Sequence, residues 1–167
     1  GGLEYDIPVS QMESISRAMS NSDIESVKFE NDSTTRSGWG YLKGTKKEAE
    51  YIAKLMDKSQ VSHTLYSGKY GNEESFKCLS GQSHSLVHLA THGFFMSDQS
   101  AKRSSFMSMI QSMGQPGQPQ NSTIDPMKRS GLILAGGNNV WTGAEVINHI
   151  EDGVLTAAEI SAMDLQQ

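Results

Sequence analysis

The run His88-Leu89-Ala90-Thr91-His92-Gly93 sets two imidazoles four positions apart and follows the second with a glycine. Imidazole titrates near neutral pH, so such a pair points to proton transfer or to metal binding. In a parallel α/β sheet, groups that do chemistry collect at the carboxyl ends of strands, where the departing loops form a crevice. Ser85-Leu86-Val87-His88-Leu89-Ala90 reads as a strand buried on both faces, which puts His92 at its end. Gly93 permits a sharp exit and leaves a backbone N–H that no Cβ shields, the kind of donor an oxyanion hole uses. A general acid or base beside a free N–H is the arrangement of acyl transfer, lacking only its nucleophile. The competing reading of His92 is a strand-end histidine that satisfies a loop carbonyl.

A metal site is the weaker alternative. The zinc-protease helix needs Glu directly after its first histidine, and this chain has Leu89. On a strand, the two rings stand roughly 13 Å apart, too far for one ion. His88 is then expected as a buried histidine hydrogen-bonded within the sheet, and His63, His84 and His149 as surface or structural. Cys78 is the only thiol, expected as a small hydrophobe half-buried on a helix. There is no G-x-S-x-G elbow, and Ala135-Gly136-Gly137 matches neither G-x-G-x-x-G nor the Walker sequence, so no cofactor or metal is assigned.

The elements that would position His92 follow from periodicity. Leu3 to Ile7 reads as a short strand, and Met12, Ile15 and Met19 share one helix face before a Ser- and Asn-rich linker. Trp39, Tyr41 and Leu42 form a strand candidate. Thr45-Lys46-Lys47-Glu48 is a capping box, opening a helix whose stripe is Ala49, Ile52, Ala53 and Met56, with Lys46, Lys47, Glu50 and Lys54 in water. A strand-like run from His63 to Tyr66 follows. Asn72 caps the next helix, with Glu73 and Glu74 on its positive end, Phe76 and Leu79 facing a core, and Gly81 as stop. Strand alternating with helix predicts βαβ crossovers and a largely parallel sheet. Residues 94–129 break the rhythm with five of the nine methionines and read as a flexible insertion, with Phe106, Met109, Ile110 and Met113 at helical spacing. Ser130 to Gly137 is a strand closed by a glycine turn. Thr156-Ala157-Ala158-Glu159 is a second capping box, with Leu155 and Ile160 placed as a hydrophobic staple, and Thr142 with Glu145 resembles a third. The chain therefore divides into residues 1–35, a βαβαβ core at 36–93, the insertion at 94–129, and a final strand and helix at 130–167.

Composition bounds the rest. A chain of 167 residues, 36% hydrophobic and 20% charged, supports one core. A net charge of −5 with no basic stripe argues against nucleic acid, and no apolar run approaches the roughly 20 residues that span a bilayer, so neither nucleic acid nor membrane is an expected partner. No signal peptide is visible and a lone cysteine suits a reducing compartment, so the expectation is a cytoplasmic protein. With no Met before Gly1 and nothing to cap the last helix, both ends read as cut.

Several segments together resemble a known family. They are Gly1-Gly2-Leu3-Glu4-Tyr5-Asp6, YLKGTKKEAEYIAKLM from Tyr41, ESFKCLSG from Glu74, LVHLATHGFF from Leu86, SGLILAGGNN from Ser130 and EDGVLTAAEISAMDL from Glu151. In this order they resemble the CHAT domain, a caspase- and separase-like cysteine peptidase family often associated with TPR repeats. The resemblance implies a caspase-like, mainly parallel sheet flanked by helices (an αβα sandwich), incomplete here at the C-terminus. It implies that His92 is the catalytic histidine and that the N–H of Gly93 helps hold the oxyanion. The family nucleophile lies in a motif A-C-x-T-G on the strand after the helix that here holds Leu155 to Ile160, and this sequence stops before that motif. Cys78 does not match it. The expectation is thus a fragment of a cysteine endopeptidase, inactive alone, with a protein or peptide substrate and with TPR repeats as a further part of the parent. The alternative is a non-catalytic interaction module on a caspase-like scaffold.

Overall fold

The structure, a computed structural model, describes residues 1–19, 37–96, 125–143 and 150–165. The expected helix at Phe106 to Met113, most of the 94–129 insertion, Glu145 to His149 and the tail beyond Leu165 lie outside the described residues.

Helix α1 (Val9–Met19) carries Ile15 into the interior, as its spacing predicts. Helix α2 (Lys43–Lys58) buries Ala49 and half-buries Ile52, Ala53 and Met56, while the lysines stay in water. It begins at Lys43, ahead of the expected box. The Thr45 hydroxyl donates to the Leu42 carbonyl at 2.8 Å and accepts the Gly2 N–H at 3.0 Å, so it ties the start of the chain to the helix instead of capping it. Helix α3 (Glu73–Lys77) is capped as predicted, with Asn72 Oδ1 accepting the Ser75 N–H at 3.1 Å. The turns after it end at Gly81, whose φ of 73° suits glycine.

The sheet corrects the expectation. Strands β1 (His92–Phe95), β2 (Ser130–Ile133) and β3 (Val154–Thr156) pair in the order β1-β2-β3, and both pairings are antiparallel. The chain mixes helix and sheet, but the mainly parallel sheet between helices is not formed among the described residues, where the one parallel pairing is an isolated bridge from Leu3 to Gly68. The runs at Trp39 to Leu42, His63 to Tyr66 and Ser85 to Ala90 join no ladder. The two-sided burial expected of Ser85 to Ala90 is absent, since Leu86, Val87 and Leu89 are 68%, 42% and 44% exposed. That run instead lines a cavity of about 510 Å³ across from the apolar stripe of α2. An apolar run says that a segment seeks burial and not which neighbour will pair with it. The ladder starts only at His92, where Ser130–Ile133 offers a partner whose Gly131 leaves room for Phe94, a Cβ at 131 falling 2.9 Å from the Phe94 ring.

Leu3, Tyr5 and Ile7 are buried at period two. Their segment is held between Gly68, whose N–H donates to Gly2 O at 3.0 Å, and the Gly136-Gly137 turn, where the Gly136 N–H donates to Glu4 O at 3.0 Å. Helix α4 (Asn138–Trp141) follows that turn and is closed by Thr142, whose hydroxyl donates to Asn138 O at 2.8 Å, while the box expected of Thr142 with Glu145 runs outside the described residues. Helix α5 (Ala157–Ala162) has both halves of the predicted capping box. The core gathers Tyr5, Phe94, Ile133, Trp141, Val154 and Leu155, with Ile160 packed against it. Among the described residues no helix is long and apolar enough to cross a membrane.

Candidate active site

His92 opens β1 instead of ending a strand, because the residues that pair lie after it. It is half-buried. Its ring packs against Trp39, with centroids 4.8 Å apart, and against Tyr5 at 5.2 Å, while Trp39 in turn meets Trp141 at 5.0 Å. His92 Nε2 lies 2.8 Å from the Gly40 carbonyl. A carbonyl only accepts, so Nε2 carries the proton, and in the neutral ring Nδ1 is then the basic nitrogen. Among the described residues Nδ1 makes no hydrogen bond. The residue before it is held by a relay. The Thr91 hydroxyl donates its one proton to Ile133 O, so it accepts the bond from the Tyr5 hydroxyl 3.0 Å away.

Gly93 is exposed, and the ladder gives the direction of its N–H. Met96 N donates to Arg129 O at 2.7 Å, one step beyond the Phe95–Ser130 pair. Antiparallel pairs alternate between exchanging hydrogen bonds and making none, so Phe94 with Gly131 and His92 with Ile133 exchange bonds, whereas Gly93 with Leu132 does not. On the other side of β2, Leu134 N donates to Gly153 O at 2.7 Å, which sets the complementary phase and leaves Leu132 bonded to β3. The Gly93 N–H therefore points away from β2, off the edge of the sheet that no strand covers among the described residues. Consecutive residues thus supply a ring nitrogen able to take a proton and a backbone donor outside the ladder.

The sequence matches the family model described as CHAT domain over residues 5–167. The chain belongs to the CHAT domain family. No curated protein and no solved structure matches it.

In this CHAT domain the remaining candidates stand apart from His92. His88 was expected inside the sheet; it is on the surface, with Nε2 3.0 Å from Glu48 Oε1. His63 and His84 are exposed, as expected, and His63 Nδ1 lies 3.8 Å from Asp57. His149 lies outside the described residues. Cys78 is half-buried at the C-cap of α3, the structural position predicted for it.

Sequence reasoning missed a buried charge cluster. Lys77 is 1% exposed, and its Nζ lies 2.8 Å from Glu73 Oε1, 2.9 Å from Glu151 Oε2 and 3.0 Å from Glu159 Oε1. Glu73 Oε2 accepts the Gly153 N–H at 3.0 Å, and Glu159 Oε2 accepts the N–H and hydroxyl of Thr156, each at 2.8 Å. The three carboxylates lie within 4.8 Å of one another, a spacing that would suit a cation, and the Lys77 ammonium takes that place. Burial alone would lower the Lys77 pKa, but Glu73 and then Glu151 push it upward on balance. Burial, then Asp152, raises the Glu73 carboxyl well above its ordinary range, against the pull of Lys77. The available signal was the Glu73–Lys77 pair at i and i+4, flanked by the apolar Phe76 and Leu79.

Proposed function

We propose that this CHAT domain supplies the histidine half of a Cys–His dyad that hydrolyses peptide bonds, with His92 as general base and acid and the Gly93 N–H as an oxyanion donor. The observation that carries this reading is the tether from His92 Nε2 to Gly40 O, which reserves Nδ1 for the proton. Nδ1 takes the proton of a cysteine thiol, and the thiolate attacks the substrate carbonyl carbon. The Gly93 N–H donates to the oxyanion. As the C–N bond breaks, Nδ1 returns the proton to the leaving amine. A water then attacks the thioester, giving a proton to Nδ1; the C–S bond breaks to release the carboxylic acid, and Nδ1 returns that proton to the departing thiolate. Proton transfer of this kind contributes roughly 10²- to 10⁴-fold. Cys78, the one thiol among these 167 residues, caps α3 in a structural position, so the nucleophile of the reading is a cysteine in the A-C-x-T-G motif of the following sequence. In this reading the substrate is a protein or peptide chain, and without that cysteine these residues alone are inactive.

The test is to express the protein with its downstream sequence, incubate it with a peptide library, and compare the His92→Ala variant. Cleavage lost on substitution supports the proposal, and cleavage that survives it refutes the role of His92. One observation favours a second reading, a non-catalytic interaction module: the His92 ring packs tilted against Tyr5 and Trp39 and already holds a loop carbonyl, as a structural histidine would. That reading requires the complete protein to keep its whole biological activity when His92 is replaced by Ala.

A further inference from the structure

The loop that gives His92 its carbonyl has little backbone structure of its own. Residues 37–42 join no strand, and the Trp39 backbone N–H and C=O are both taken by one side chain. Asn138 Oδ1 accepts the Trp39 N–H at 2.6 Å, and Asn138 Nδ2 donates to the Trp39 carbonyl at 3.1 Å. The amide thus pairs with Trp39 as a neighbouring strand would. Its second Nδ2 proton goes to Asp6 Oδ1 at 2.9 Å, and the Asn138 backbone N–H donates to Tyr5 O at 3.1 Å. Asn138 is 4% exposed, so these donors and acceptors have no water to fall back on. Three residues further along the same helix, the Trp141 ring lies against the ring of Trp39. Helix α4 therefore holds Trp39 by backbone and by ring, and the residue after Trp39 is Gly40.

From this we infer that Asn138 is a positioning residue for His92: by clamping both backbone groups of Trp39 it sets the Gly40 carbonyl on Nε2 and so keeps Nδ1 as the proton-accepting nitrogen. The inference rests on the proposed general-base role for its catalytic meaning, though the clamp acts on the ring whether or not the protein cleaves peptides. An amide is required, because an aspartate at 138 could still accept from Trp39 N but would lose both donor bonds and face the Asp6 carboxylate.

The experiment records the His92 Nε2–H proton by NMR in the full protein, assigned by its disappearance in His92→Gln. It measures its exchange with water in the wild type, Asn138→Ala, Asn138→Asp and Asp6→Asn, with thermal unfolding of each. The wild type is expected to show a slowly exchanging Nε2–H. Asn138→Ala and Asn138→Asp should speed exchange at least about tenfold, and Asp6→Asn, which keeps an acceptor for Nδ2, should leave it within about twofold. If Asn138→Ala does not fold, the near-isosteric Asn138→Asp decides. In the protein carrying its nucleophile, kcat should fall about 10- to 100-fold with KM within about threefold, as expected of a misplaced base. Unchanged Nε2–H exchange in a folded Asn138 variant, or no protected Nε2–H in the wild type, overturns the inference. An Asn138-dependent Nε2–H in a protein that cleaves nothing would uphold the clamp and sink the peptidase reading.

Discussion

Replacing Lys77 by Met is the sharpest test of the buried cluster. The ammonium pairs with Glu73, Glu151 and Glu159 together, which come from α3, the segment leading into β3, and α5. Removing one partner of a buried ion pair costs about 3–5 kcal/mol, because the other charge is left without compensation. Here three carboxylates lose a shared partner together, but Glu73, whose carboxyl is already raised, can answer by taking up a proton, so the cost stays at about 4 kcal/mol. That is a large share of the roughly 5–15 kcal/mol that holds a domain folded. At about 2–4 °C per kcal/mol for a chain of this size, Tm should drop by about 8–16 °C at pH 7.5. The pH dependence follows from the direction of the shifts. Burial, then Asp152, raises the folded-state pKa of Glu73, so its contribution is fully present below the unfolded value of about 4.3 and is lost as pH rises through the folded value. Lys77 is raised too, so its contribution is present below about 10.4 and lost only above that. Without Lys77 the attraction that restrains Glu73 disappears and its pKa climbs further. The deficit of the variant should therefore be smallest near pH 4.5 and widen to pH 7.5. Thermal unfolding followed by circular dichroism at pH 4.5, 6.0 and 7.5 measures it. A deficit under about 3 °C at pH 7.5, or one of equal size at all three values, would refute the reasoning.

Other substitutions separate fold from chemistry. Gly131→Ala drives a Cβ into the Leu155 carbonyl and to 2.9 Å from the Phe94 ring, so it should cost about 1–3 kcal/mol and lower Tm by several degrees. Gly93→Ala meets only ordinary contacts, Gly131 O at 3.6 Å and Leu132 Cδ2 at 3.9 Å, and should leave Tm within about 2 °C, so an equal effect of the two would discredit the register. Gly93→Pro deletes the N–H without deleting a β1–β2 hydrogen bond, and proline is tolerated on an edge strand. It should keep the fold and, in the protein carrying its nucleophile, cut kcat about 10²- to 10³-fold, whereas unchanged turnover would remove Gly93 from the oxyanion role. Thr156→Ala removes the hydroxyl that accepts the Glu159 N–H and donates to Glu159 Oε2, while the backbone N–H of residue 156 still donates to Oε2, so it should cost about 1–2 kcal/mol, read as a lower urea midpoint.

Local signals were the most legible part of the fold. Asn72 and Thr156 cap where their side chains reach an N–H three residues on, and the stripe of α2 faces inward because a 3.6-residue period leaves it no other face. Thr45 shows the limit of such signals, since the same spacing of Thr and Glu was put to another use when the Gly2 N–H arrived from 43 residues away. Strand sense failed for the same reason. Alternation of helix and strand predicts a parallel sheet only if the apolar runs pair with one another, and pairing depends on register and on space. Gly131 provides that space for β1, and nothing within Leu86 to Ala90 indicates that the ladder will begin past it. The Lys77 cluster was hidden because charged residues are expected in water, and the three glutamates that make its burial tolerable lie 4, 74 and 82 positions from it.

For His92 the sequence left two readings that looked exclusive, a catalytic base and a histidine that satisfies a loop carbonyl. The geometry removes the opposition, because imidazole has two nitrogens with separate duties. A ring that satisfies the Gly40 carbonyl through Nε2–H gives up nothing at Nδ1, and the bond fixes both the tautomer and the plane in which the Nδ1 lone pair points. Packing against the tilted rings of Trp39 and Tyr5 restricts the remaining rotation of the ring. A partnered histidine is thus what a base of defined direction requires, and an imidazole free at both nitrogens would exchange tautomers and orientations and lose time in unproductive ones. What separates catalyst from strut is then Nδ1 alone, and whether a thiol can reach it.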